Sequence, residues 1–248
     1  ATVQTAPFDG AWAFNKAFHE KYGAAMQQTN MMRERPVVEL PGDAHGHYIS
    51  VPWGGFSVPG IPGVFVTGRT RDDNGRFVFQ ASAEIPGKYK DSFDQLMERT
   101  REYVRTESIY RGKALDLRLG DIGNGMAKVK FLDVSTARRP IYGEVLDDVF
   151  SHDVIPYVTH PGLIQRVRGS GKLGVLFAGK YGVGKSMAAW YLARLCEENN
   201  RTFQVGRVEE LTEVVDFASM YLPGMILFED VDSVVGGDER SHKLNAIL

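Results

Sequence analysis

Only one cysteine, Cys196, stands among the 248 residues, so no disulfide can form within the chain and a reducing compartment is the expected setting. Its place in an apolar helical stretch predicts a packed core thiol. No apolar run approaches the roughly 18 residues of a membrane-spanning helix. The opening "ATVQTAPFDG" lacks the basic-then-apolar order of a secretory signal, and the expectation is a cytoplasmic protein. Neither sign of charge prevails: 29 Lys and Arg stand against 31 Asp and Glu, a net of −2. That near-balance removes any global pull toward nucleic acid while leaving local patches open. Internal repeats and low-complexity segments are also missing. What is present, 43% hydrophobic and 24% charged residues, suffices to bury a core in one large or two ordinary domains.

The first third reads as a small α+β domain over residues 1–108, the part expected to engage a partner or substrate. In "GAWAFNKAFHEKYGAAM", Phe14, Phe18 and Tyr22 recur at four-residue spacing and predict an amphipathic helix. Short β-rich runs follow, "PVVEL", "HYISVPW", "GVFVTG" and "RFVFQASAEI", with "GGFSVPGIPG" and "DDNG" as punctuation. "KDSFDQLMERTREYV" predicts a helix with Ser92 and Gln95 at capping-box spacing and Phe93, Leu96, Met97, Tyr103 and Val104 buried. "YRGKALDLRLGDIGNGMAKVKFLDVS" then suggests two strands around a Gly/Asn turn, a β-hairpin in a linker over 109–140. From 141 to 248 helices and strands alternate: helix "GEVLDDVFSHDVI", strand "KLGVLFA", helix "KSMAAWYLARLCEE", strand "TFQVG", helix "VEELTEVVDFASMYL", strand "GMILFE". Strands separated by helices imply an α/β fold whose parallel sheet is covered on both faces.

The chemistry concentrates in "LGVLFAGKYGVGKS". Its G-x-x-x-x-G-K-S comprises Gly179, Gly184, Lys185 and Ser186, after an apolar run and before a helix. In such a turn backbone N–H groups cradle phosphate oxygens, the helix start adds partial positive charge, the lysine reaches the terminal phosphates and the hydroxyl serves Mg²⁺. About 44 residues on, "GMILFED" ends an apolar run in Glu229 and Asp230. Phosphoryl transfer to water needs one group for a metal and another to orient or deprotonate the water, so two carboxylates match two jobs.

Residues 160–186, "HPGLIQRVRGSGKLGVLFAGKYGVGKS", resemble the signature of the AAA (AAA+) ATPase family, where a His-Pro pair, a short helix and a basic linker precede the phosphate loop. "ILFEDVDSVV" is similar to that family's second acidic motif, and Asp232 matches its trailing aspartate. The resemblance covers residues 141–248 and is to stand-alone members from bacteria and their phages. It implies a P-loop NTPase αβα sandwich, ATP and Mg²⁺ as the bound species, ATP hydrolysis, and a homo-oligomeric ring, a hexamer, that remodels a protein or nucleoprotein partner. By register, Gly179, Lys180, Tyr181, Gly182, Val183, Gly184, Lys185, Ser186 and Met187 contact nucleotide. Glu229, with Ser186, takes the metal position and Asp230 the water-activating one. Backbone in 141–144, including Tyr142 and Gly143, falls where the family contacts adenine.

Three departures qualify the resemblance. The acids are inverted relative to the usual Asp-Glu, as in a branch of AAA chaperones of the mitochondrial inner membrane, which shortens the base by one methylene. "RVEELTEVVDFASMYLP" holds no aromatic-apolar-glycine triplet, so threading of unfolded polypeptide is not implied. The family's sensor residue, neighbour-reaching arginines and helical lid would lie past residue 248, which reads as a truncation. A nucleotide-responsive scaffold or assembly protein with little or no turnover is the alternative function. Outside this region, His45 and His47 in "DAHGHY" read as a solvated loop before half a metal site. The arginines of "RTREYVRTESIYRGKALDLR" read as a solvated helix face, and Trp53 and Phe56 as a partner surface or packed residues.

Overall fold

The computed structural model describes residues 1–23, 27–28, 37–58, 60–118, 128–169 and 171–229. It is mixed α/β with three sheets, one of them partly parallel. The chain divides into two compact units, residues 1–111 with 119–131, and 112–118 with 132–248. Among the described residues no helix is long and apolar enough to cross a membrane.

In the first unit α1 (Pro7–Tyr22) starts with proline in its first turn, where the missing N–H costs nothing, and ends at Gly23, whose left-handed backbone donates its N–H to the His19 carbonyl. Five strands, β1 (Thr2–Val3), β2 (Gln27–Gln28), β5 (Gly54–Val58), β6 (Ile61–Arg71) and β7 (Phe77–Glu84), form an antiparallel sheet in the order β1-β7-β6-β5-β2. A separate hairpin joins β3 (Val37–Pro41) to β4 (Tyr48–Pro52). Phe14 and Phe18 of α1 meet Phe56, Phe65 and Phe79 of the sheet, with Phe18 edge-on to Phe56 at 5.6 Å between centroids. The stripe read from four-residue spacing is core, as are Leu96, Met97, Tyr103 and Val104 of α2 (Lys90–Glu107).

Two expectations change here. The stretch taken as punctuation contains strand β5, and inward alternation buries Phe56 fully while Trp53 packs against the core and lies 4.9 Å from Phe8. Ser92 does not cap α2. A 3-10 turn at Gly87–Tyr89 runs straight into the helix and starts it before Ser92, whose hydroxyl pairs instead with the Tyr22 hydroxyl at 3.2 Å. The arginines of α2 form a solvated, ion-paired face, Arg99 to Glu20 and Glu102, and Arg101 to Glu98. Buried Asp9 accepts hydrogen bonds from the Thr5 hydroxyl (2.8 Å), the Ser108 hydroxyl (2.8 Å) and the Ile109 N–H (3.0 Å), which fastens the start of α1 to the chain leaving α2.

The second unit is built on β8 (Ala114–Arg118), β10 (Thr202–Gly206) and β11 (Gly224–Phe228), ordered β11-β10-β8, while β9 (Lys128–Phe131) falls within the first unit. β10 runs parallel to both β8 and β11. Successive residues of β10 face opposite sides. Phe203 and Val205 meet α6 (Lys185–Glu198), which buries Ala188, Leu192, Ala193 and Cys196. A Cβ on Gly206 would fall 2.6 Å from Val214 Cγ2 of α7 (Leu211–Ser219), so α7 covers the other face and glycine permits its approach. Shorter helices α3 (Glu144–Val149), α4 (Ile155–Thr159) and α5 (Pro161–Arg168) precede α6, with a π-helical turn at Phe150–Val154 between the first two.

The run "KLGVLFA", expected as a strand, forms none: residues 171–179 have no regular secondary structure. Both edges of β10 are taken, one by β11 and the other by β8, and among the described residues the run does not pair with the outer edge of β11 either, so it has no hydrogen-bonded neighbour. Leu173, Val175 and Leu176 are accordingly exposed, and within residues 173–178 only Phe177 packs against the α6 core.

Candidate functional site

The bend between the 171–178 segment and α6 depends on glycine. Gly179, Gly182 and Gly184 have φ of 150°, 82° and 94°, a region that side chains with a Cβ rarely adopt. Gly184 is the N-cap residue of α6, so the bend delivers Lys185, Ser186 and Met187 as the first helical turn. The amides at a helix start have no acceptor within the helix. Among the described residues no backbone carbonyl accepts from Gly184, Lys185, Ser186 or Met187.

The Lys185 ammonium curls back over the bend and donates to the carbonyls of Gly179 (2.7 Å) and Lys180 (3.0 Å). Those carbonyls are neutral partners that a phosphate oxygen would outbid, because charge-assisted hydrogen bonds are roughly twice as strong. Lys180, Ser186 and Met187 are exposed, Tyr181 is fully exposed and Val183 is half exposed. Free amides, an ammonium, an available hydroxyl and the positive end of a 14-residue helix occur together within residues 184–187. That donor set suits a polyphosphate. The exposed Ser186 hydroxyl also suits Mg²⁺, which keeps most of its waters and takes further oxygens from phosphate rather than from a protein cage.

Tyr142 joins this assembly from 42 residues upstream. Its hydroxyl donates to the Gly184 carbonyl at 3.1 Å, and a Cβ on Gly184 would lie 3.5 Å from the ring. The ring stands edge-on to Phe150 at 5.9 Å, and Phe150 in turn packs near Tyr191 of α6. Burial pushes the Tyr142 hydroxyl pKa up, so it stays a proton donor at neutral pH. Gly143, beside it, is the N-cap residue of α3 and is exposed. Residues 139–142 with Glu144 and Asp147 line a shallow cleft of about 390 Å³, in which Arg139 bonds both carboxylate oxygens of Asp147 at 2.8 Å.

Glu229 directly follows β11 and is exposed. Asp230 and Asp232 lie outside the described residues. Leu227 and Met225 of β11 pack into the same cluster as Leu192, Ala193 and Cys196 of α6, so one core carries both the helix behind the bend and the strand that ends at Glu229. Burial pushes the Cys196 thiol up to about 12, and it is a structural part of that core. The structure therefore gathers residues 179–187 with Tyr142, while the run leading into the bend lies outside the sheet that contains β11. The Tyr142 side-chain contact was not foreseen: the only signal was its position in the segment assigned to adenine, and nothing in the spacing pointed its hydroxyl at Gly184.

In the first unit, the Asp43 carboxylate accepts from the amides of His45 (2.8 Å) and His47 (3.2 Å) and pairs with the His47 ring. These bonds, the ring pair foremost, hold its pKa down at about 2. Among the described residues no three His, Cys, Asp or Glu side chains group to hold a metal ion. Comparison of the chain with protein-family models and with curated proteins returns no match.

Proposed function

We propose that this chain binds ATP with Mg²⁺ through residues 179–187 and hydrolyses it as a P-loop ATPase of AAA type, using turnover to remodel a protein or nucleoprotein partner. The observation that carries the reading is the bend itself. Three glycines with positive φ lead into the start of α6, where four amides have no carbonyl partner among the described residues and the Lys185 ammonium turns back onto the bend. Lys185 would exchange its loop carbonyls for the terminal phosphates, and the amides of residues 184–187 would hold phosphate oxygens. Ser186 and Glu229 would hold the metal, which supplies charge neutralisation at the phosphates. Asp230 would orient or deprotonate the attacking water. The segment containing Tyr142 and Gly143 lies at the same bend and would receive the base, while residues 1–108 would engage the partner and copies of the chain would form a ring.

Calorimetry with ATP and Mg²⁺ tests the binding half. Lys185→Ala removes charge-assisted contacts worth about 1.5–3 kcal/mol, so affinity should fall about ten- to hundredfold; unchanged affinity ends the cradle assignment. Asp230→Asn should leave binding intact and abolish phosphate release, and persistent release would move the base elsewhere.

A second reading, a nucleotide-responsive scaffold that binds ATP with little turnover, draws on the inverted acids. A base one methylene short sits about 1 Å out of place, and a displacement of that size can cost on the order of 100-fold in rate. ATP binding without steady-state phosphate release would select this reading.

A further inference from the structure

We propose that Tyr142 is a positioning residue for the phosphate cradle, its hydroxyl locking the peptide that presents the Lys185 amide. The inference rests on the nucleotide reading of that bend but concerns a contact made by the protein alone. The Gly184 carbonyl accepts two hydrogen bonds, from the Tyr142 hydroxyl at 3.1 Å and from the Ala188 N–H at 2.9 Å. A peptide unit is planar and trans, so its carbonyl and its N–H point in opposite directions. Two donors fixing the Gly184 oxygen therefore fix the direction of the Lys185 N–H, which at a helix start faces away from the helix body. Glycine at φ 94° has a backbone free to rotate, and Ala188 alone constrains that carbonyl from only one side. Tyr142 adds the second constraint. Its ring is held in turn by Phe150 at 5.9 Å, and Phe150 belongs to the π-helical turn, a distortion often found beside functional sites.

A positioning role differs from a base contact in what it should affect. If Tyr142 acts through the Gly184 peptide, its loss weakens the cradle for any polyphosphate, whether or not a nucleoside is attached. If it acts on the base, inorganic tripolyphosphate is indifferent to it. Tyr142→Phe keeps the ring and its packing and removes only the hydroxyl.

The test uses the whole chain as wild type, Tyr142→Phe and Lys185→Ala, with Mg²⁺ and either ATP or inorganic tripolyphosphate in the calorimeter. A hydrogen bond worth about 0.5–1.5 kcal/mol predicts that Tyr142→Phe weakens both ligands by about 3- to 10-fold and lowers the melting midpoint by a few degrees. Hydrogen exchange without ligand should show the Ala188 amide exchanging about 3-fold faster or more in Tyr142→Phe, because its acceptor is less constrained. Unchanged binding of both ligands overturns the inference, and so does a loss confined to ATP. If the wild type binds neither ligand, the nucleotide reading fails separately. Exchange at Ala188 then decides the Tyr142 contact by itself: faster exchange upholds it and unchanged exchange overturns it.

Discussion

Gly184→Ala is the sharpest probe of the bend, because it sets backbone strain against function at one residue. Gly184 sits at φ 94° and ψ 13°, and a Cβ there would meet the Tyr142 ring at 3.5 Å and its hydroxyl at 3.6 Å, ordinary van der Waals contact. No clash opposes the methyl, so the cost is conformational. Holding an L-residue in the left-handed region costs about 1–2 kcal/mol. The chain has two ways to respond. If alanine stays left-handed, the cradle keeps its shape and stability falls by that amount, a drop in melting midpoint of about 3–6 °C for a unit of this size. If the peptide rotates to relieve the strain, the bonds from Tyr142 and Ala188 are lost at about 1 kcal/mol each, and the Lys185 amide turns away from the ligand. Thermal melts and tripolyphosphate calorimetry on one preparation separate the two. Gly184→Ala with an unchanged midpoint and unchanged binding would refute the claim that this backbone conformation is required.

Helical glycines elsewhere should respond with opposite signs in urea melts. Gly162 in the first turn of α5 has open space where a Cβ would go, so Gly162→Ala should stabilise by about 0.5 kcal/mol, whereas a Cβ on Gly10 of α1 would lie 2.2 Å from Phe79 Cβ and Gly10→Ala should destabilise by about 1–3 kcal/mol. Equal responses would show that propensity alone governs both. Cys196, fully buried with its thiol pushed to about 12, should resist maleimide at pH 8 until urea unfolds the chain, and prompt stoichiometric labelling would contradict that burial. Its folded pKa lies above the unfolded value, so the stability it contributes is whole below about pH 9 and is lost as pH rises toward 12; against Cys196→Ala, the wild-type urea midpoint should fall more steeply above pH 9. Exchanging the acids, Glu229→Asp with Asp230→Glu, lengthens the proposed base by a methylene and should raise phosphate release if base reach limits turnover; a fall would show a backbone tuned to the order present.

Elements whose signals are local were legible nearly to the residue. "KSMAAWYLARLCEE" is α6 and "TFQVG" is β10, because a glycine break precedes the first and the apolar alternation of the second needs no distant partner to be recognised. Helix α1 likewise follows from Phe14 and Phe18. Strand β5 was hidden because Gly54, Gly55 and Gly60 read as turn chemistry, while the alternation of Phe56 and Val58 is too short to outweigh them. The 3-10 turn before α2 moved the helix start and emptied the capping signal at Ser92.

Pairing is where sequence reading ran out, and the second unit shows why. "KLGVLFA" and "ALDLR" are both short apolar runs, and both have the composition of a buried strand. What separates them is which one reaches the free edge of β10, a question of long-range geometry that composition does not encode. β8 pairs Ala114, Leu115 and Asp116 with Phe203, Gln204 and Val205, and residues 173–178 are left without a place beside β10. The glycine spacing of the bend survived that misplacement, since three positive-φ positions and a following helix are set within a few residues of one another. The Tyr142 contact was beyond reach for the opposite reason. A hydroxyl arriving from the irregular segment before α3 can be found only after α3, the π-helical turn and α6 have packed through Phe150 and Tyr191, so the local half of the site is written in the sequence and the half that stiffens it emerges from the fold.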